Sequence, residues 1–179
     1  MLTDEEKQAC IQIVSDTIAF KLKLSQEMPT SPASPIFSEK YGVFVSLHRK
    51  GRLRGCIGYV QAYKTLYESL IDLSQAAAFR DNRFRPIIAD EFDELEIEIS
   101  ILSPLSVVTD YEEIVVGRDG LVIQHPAGSG LLLPQVATQY GWDRETFLIE
   151  TCHKAGLDES FLDDKDTTVY RFEAVVFGI

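Results

Sequence analysis

Cysteine is scarce in this 179-residue chain: Cys10, Cys56 and Cys152 are three, widely spaced and without a C-x-x-C pair. An odd, scattered set of this kind argues against a disulfide framework and against a zinc site. Histidine is as sparse. His48, His125 and His153 form neither an H-x-x-x-H nor an H-E-x-x-H pattern, so no metal centre and no bound cofactor are expected. Positive charge is in deficit, with 17 basic against 28 acidic side chains and a net charge of −11. Nucleic-acid binders carry a basic footprint, so the balance argues against nucleic acid as partner. Local basic clusters do occur at Arg49, Lys50, Arg52 and Arg54, and again at Arg80, Arg83 and Arg85. No unbroken apolar run reaches the roughly 18 residues of a membrane span. The N-terminal stretch MLTDEEKQAC is acidic and polar, unlike a secretory leader. These two absences lead to the expectation of a cytoplasmic protein.

The residues that are present alternate between helical and extended patterns. Thr3 and Glu6 make a T-x-x-E capping box, followed by a helical stripe of Cys10, Ile11, Val14, Ile18 and Leu22. That helix should run to about Leu24, with Cys10 in the core. Pro29, Pro32 and Pro35 mark an irregular crossing. GVFVSLH at 42–48 and LRGCIGYV at 53–60 read as the two strands of a hairpin turning at Lys50-Gly51. Thr65 and Glu68 form a second capping box, ahead of a stripe of Leu66, Leu70, Leu73 and Ala77. LEIEISIL at 95–102 alternates, with Leu95, Ile97, Ile99 and Ile101 toward a core.

Further along, residues 115–124 read as a hairpin turning at Arg118-Asp119-Gly120. HPAGSG reads as a loop, and LLL as a short buried strand. Gln135–Tyr140 suggests a short helix. Asp143 caps a longer one that points Phe147, Leu148 and Thr151 inward and stops at Gly156. TTVYRFEAVVFGI closes the chain as a strand. Few elements alternate as βαβ units. The expected class is therefore α+β, a mostly antiparallel sheet packed by helices in two lobes. The larger lobe would hold residues 1–104 plus 167–179, and the smaller one 105–166.

The hairpin raises a question: why does a strand carry Arg54-Gly55-Cys56-Ile57-Gly58 in its middle? Glycine weakens a strand unless a backbone must come close or the strand must bend. If Arg49 faces Arg52, an unbroken register sets Val45 opposite Cys56 and Leu47 opposite Arg54. Arg54, Cys56 and Gly58 then share a face with Val43, Val45 and Leu47, and His48 lies on the other face. A one-residue bulge, which glycines invite, would reverse that assignment.

Three stretches taken together, LRGCIG at 53–58, D-N-R-F-R-P at 81–86 and GLLLPQVA at 130–137, resemble the AMMECR domain family. Its prokaryotic members are also called AmmeMemoRadiSam system protein A. WDRETFL at 142–148 and KAGL at 154–157 follow in the order the resemblance implies, and it extends over nearly the whole chain. The resemblance implies a two-lobed α+β fold, an intracellular protein, and Memo-type and radical-SAM proteins as partners. It implies no established activity. The chain departs from the family pattern at its end, Phe177-Gly178-Ile179, where an acidic residue is expected after the phenylalanine.

The candidate site gathers around LRGCIG. Cys56 is the candidate nucleophile, since a thiolate needs nearby cations, and Glu98 the candidate acid or base. Each also has a structural reading, as packing filler and as a solvated strand face. Arg54 and Arg83 are candidate anion binders; Arg54 could equally pair with a carboxylate such as Glu98. Gly55 and Gly58 admit either a ligand or tight helix packing. Asp81 could wall a cleft or lock a loop, and Gln135 could cover the cleft from the second lobe. Three functions compete. The first is an enzyme or enzyme subunit with a small-molecule or peptide substrate in an inter-lobe cleft floored by LRGCIG. The second is a non-catalytic docking module. The third is an RNA-modification factor, disfavoured by charge.

Overall fold

The structure, a computed structural model, describes residues 2–178. Ile179, the last residue of the departing C-terminal tripeptide, lies outside the described residues. Four α-helices run among them: α1 (Asp4–Lys21), α2 (Leu66–Phe79), α3 (Pro134–Tyr140) and α4 (Arg144–Lys154). The strands are β1 (Gly42–Arg49), β2 (Arg52–Tyr59), β3 (Leu95–Leu102), β4 (Ser106–Val107), β5 (Asp119–His125), β6 (Gly128–Leu132) and β7 (Thr168–Gly178). Every strand pairing whose register is described is antiparallel, and the fold is α+β. The chain forms two compact units. One comprises residues up to Leu102 together with those from Val175; the other is Ser103–Ala174.

In the first unit the strands lie in the order β2-β1-β3, so β2 is an edge strand. Alternation buries Val43, Val45 and Leu47 of β1 with Ile97, Ile99 and Ile101 of β3. They share a core with Cys10, Val14 and Ile18 of α1 and with Leu66, Leu70, Leu73 and Ala77 of α2. Both threonine capping boxes form: Thr3 with Glu6, and Thr65 with Glu68. Helix α1 stops three residues short of the expected end. Lys23 adopts a left-handed φ of 63°, and Leu24 N–H turns back to the Ala19 carbonyl.

The second unit has the order β4-β7-β5-β6, and its core is Leu121, Ile123, Phe147, Leu148, Cys152 and Val169. Here the expected hairpin is corrected. Asp119 is buried, and its carboxylate accepts the Val115 N–H at 2.8 Å and the Arg118 guanidinium at 2.7 Å. Those bonds close a turn before β5, so Arg118-Asp119-Gly120 starts a strand rather than tipping a hairpin. The hairpin is β5–β6, with His125 opposite Gly128 and its tip at Pro126-Ala127. The glycines of HPAGSG, expected in a loop, are strand residues. A Cβ on Gly130 would lie 2.4 Å from the backbone nitrogen of Ala155, so the glycine admits the end of α4.

Candidate functional site

The β1–β2 register answers the question posed by the glycines. At the turn, Lys50 and Gly51 both have positive φ, the requirement of a two-residue type I′ turn. Arg49 pairs Arg52 and His48 pairs Leu53, as the unbroken register requires. The next pair is Leu47 with Gly55. Arg54 is skipped: it is the extra residue of a β-bulge. A one-residue shift sends every later side chain to the opposite face. Cys56 therefore faces Ser46 and not Val45, which corrects the unbroken register. Arg54 and Cys56 do not share a face as regular neighbours. His48, two residues from Ser46 along β1, lies on the Cys56 face rather than the opposite one.

The bulged residue is held on all sides. Arg54 donates from Nε and Nη2 to the two carboxylate oxygens of Glu91, at 3.0 and 2.9 Å. It also donates to the carbonyls of Arg85 at 2.6 Å and Pro86 at 3.2 Å. Glu91 sits in a short 3-10 helix, Ala89–Glu94, and accepts in addition from Arg49 at 3.0 Å. The Arg54 fork pulls the Glu91 carboxyl down to about 2, against the opposing effect of burial. The partner of Arg54 is thus Glu91 and not Glu98.

The bulge aligns three side chains on one face. Cys56 on β2 pairs Ser46 on β1, and Ser46 pairs Glu98 on β3. Cys56 directs its backbone N–H away from β1, to the Asp81 carboxylate at 3.0 Å. Ser46 and Cys56 are therefore a non-hydrogen-bonded pair, the kind that brings cross-strand side chains closest. The Ser46 hydroxyl donates to the Cys56 sulfur at 3.1 Å. Cys56 is partly exposed, whereas Cys10 and Cys152 are fully buried. Burial pushes the Cys10 thiol up to about 12 and raises that of Cys152.

Asp81 and Arg83 finish the edge. Among the described residues no strand lies beyond β2, so the outward N–H and C=O of Cys56 would be bare. Asp81 takes the N–H, and Arg83 donates to the Cys56 carbonyl at 2.9 Å. Arg83 also holds Asp81 at 2.7 and 3.0 Å, and this bond holds the Asp81 carboxyl far below the ordinary carboxylate range. The Asp81 side chain is 2% exposed and that of Arg83 55%. The pair clamps the Cys56 backbone while leaving a guanidinium beside the thiol.

The two glycines have separate reasons. Gly55 faces the helices, and a Cβ there would sit 2.1 Å from the Ala77 carbonyl oxygen of α2. Gly58 faces the Cys56 side, where the Phe44 ring occupies the space of a side chain at 2.2 Å. Glu98 is half-buried on β3. Gln135 stands at the start of α3 in the second unit, where its carbonyl accepts the Thr138 hydroxyl. Among the described residues no cluster of His, Cys, Asp and Glu is arranged to hold a metal. Sequence reasoning missed Ser46, which reads as a polar break in an apolar strand, and Glu91, which hides in an acidic run. A lone arginine in a hairpin signals that a buried carboxylate exists without saying which.

Residues 11–177 match the AMMECR1 family. A protein of Methanothermobacter thermautotrophicus is 40% identical over 98% of this chain and 95% of its own length. Protein PH0010 of Pyrococcus horikoshii is 40% identical over 98% of this chain and 91% of its own. The crystal structure of that uncharacterized protein superposes with a TM-score of 0.89 at 38% identity, covering 99% of this chain and 93% of the other.

Proposed function

The chain belongs to the AMMECR1 family, and from that premise we propose that its function is carried by Cys56 as a reactive thiol. The protein is an enzyme or enzyme subunit acting on a small or peptide-borne substrate with an electrophilic carbon. Cys56 is the nucleophile. The Ser46 hydroxyl steadies the sulfur as it becomes negative, and the Arg83 guanidinium beside it favours the same charge. Glu98, two strands from Cys56 with Ser46 between them, would take the thiol proton by way of the Ser46 hydroxyl and return it to the leaving group as the bond from that group to the electrophilic carbon breaks. The supporting observation is the pair itself: the sulfur of a partly exposed cysteine accepting a hydroxyl at 3.1 Å, on an edge strand whose backbone is clamped from both sides. The setting is the cytoplasm, and Memo-type and radical-SAM proteins act with it; this part of the proposal is supported by the family resemblance. The motif's arginine acts here by shaping the strand, since each nitrogen of Arg54 is engaged within the fold.

The test is Ser46→Ala, read by the rate at which iodoacetamide alkylates Cys56 across pH. Loss of the hydroxyl donor should slow the reaction several-fold at neutral pH. An unchanged profile would mean that Ser46 does not act on the sulfur. The second reading is a docking module, favoured by one observation: Asp81 and Arg54, both candidate ligand binders, are engaged within the fold. It predicts a Cys56→Ser protein with unaltered partner binding.

A further inference from the structure

The second unit carries a groove of about 630 Å³, within the size range of ligand and peptide-anchor sites. Its floor is apolar: Tyr111, Leu148 and Leu162 line it, with Leu148 continuous with the core. Its rim is acidic, with Glu112, Asp143, Glu145, Glu159 and Asp163 against a single cation, Arg144. That cation is already committed. Arg144 pairs with Glu112 and donates to the Ile114 carbonyl at 3.0 Å. Asp143 is fixed as the cap of α4, accepting the Thr146 N–H at 2.8 Å. Glu145, Glu159 and Asp163 have no basic partner among the described residues.

We infer that this groove docks a basic segment of a partner protein, a large apolar residue seated on the floor and flanking lysines or arginines on the rim. Charge complementarity selects that occupant. An acidic peptide would meet five carboxylates, and a second copy of this chain brings a net charge of −11. The same net charge attracts basic partners at long range and speeds their encounter. The floor then supplies what rim charges do not, because exposed ion pairs contribute little on their own.

The probe is a fluorescein-labelled KRLLRK amide, followed by anisotropy against the intact chain. The comparison peptide, KRSSRK, has the same charge and no apolar anchor. Burial of one leucine predicts at least about tenfold tighter binding of the first. Raising the salt from low to about 0.3 M should weaken both peptides. The triple substitution Glu145→Gln, Glu159→Gln and Asp163→Asn sits on exposed positions and should weaken KRLLRK by about tenfold or more, with an unchanged melting curve. Equal binding of the two peptides would reduce the groove to general surface charge and overturn the inference. So would absence of KRLLRK binding, or full binding to the triple variant. Displacement of the peptide by millimolar Mg²⁺ with direct uptake of the ion would make the rim a cation site, and the inference would also fall.

Discussion

Replacing Glu91 with Gln tests the device that turns Cys56 outward. Glu91 accepts both arms of the Arg54 fork and a bond from Arg49, and its side chain is 11% exposed. Its carboxyl is held at about 2, against 4.5 when free. The sign follows: a depressed carboxyl adds stability above its unfolded value and loses it as pH falls toward the folded one. At about 1.4 kcal/mol per unit, the charge on Glu91 contributes roughly 3 kcal/mol at pH 7. Glutamine keeps the shape and removes the charge, so Glu91→Gln should be less stable by roughly that amount at pH 7. The gap should shrink to roughly 2 kcal/mol at pH 3.5, where the unfolded chain already protonates Glu91. Urea unfolding of both proteins at pH 7, 5 and 3.5 reads the difference directly. A gap that stays constant across that range would refute the assignment of Glu91 as the charge that holds the bulge.

Other expectations follow from the same geometry. Gly55→Ala should destabilise the protein by about 1–3 kcal/mol in urea, because the added methyl meets the Ala77 carbonyl of α2 rather than a yielding side chain. Asp81→Asn should raise the hydrogen-exchange rate of the Cys56 amide, since the neutral side chain is a weaker acceptor and no longer pairs with Arg83. Thr65→Ala should cost about 1 kcal/mol in thermal or urea unfolding by removing the α2 cap bond to Glu68 N–H.

The α+β class was legible in the sequence because its signals are local. Threonine capping boxes, the alternation of β3 and the Asp143 and Gly156 boundaries of α4 each involve residues within a few positions of one another. Two features depended on distant partners and were not legible. The strand character of the glycines in β6 depends on α4 passing over them, about 25 residues later. The hairpin register depends on Arg54 finding Glu91, 37 residues along the chain. Cys56, Glu98, Asp81 and Arg83 were legible as candidates from residue type. Their order in space was not, because a single skipped residue decides which face of β2 carries the sulfur.

The central claim is that the bulge presents Cys56 as an accessible, activated thiol. It is tested most directly by alkylating the native protein with iodoacetamide from pH 6 to 10 and quantifying each cysteine by mass spectrometry. The account predicts rapid modification of Cys56 in the folded protein, while Cys10 and Cys152 react only after denaturation. If Cys56 also reacts only in the denatured chain, its sulfur is packing, and the reactive-thiol account is wrong.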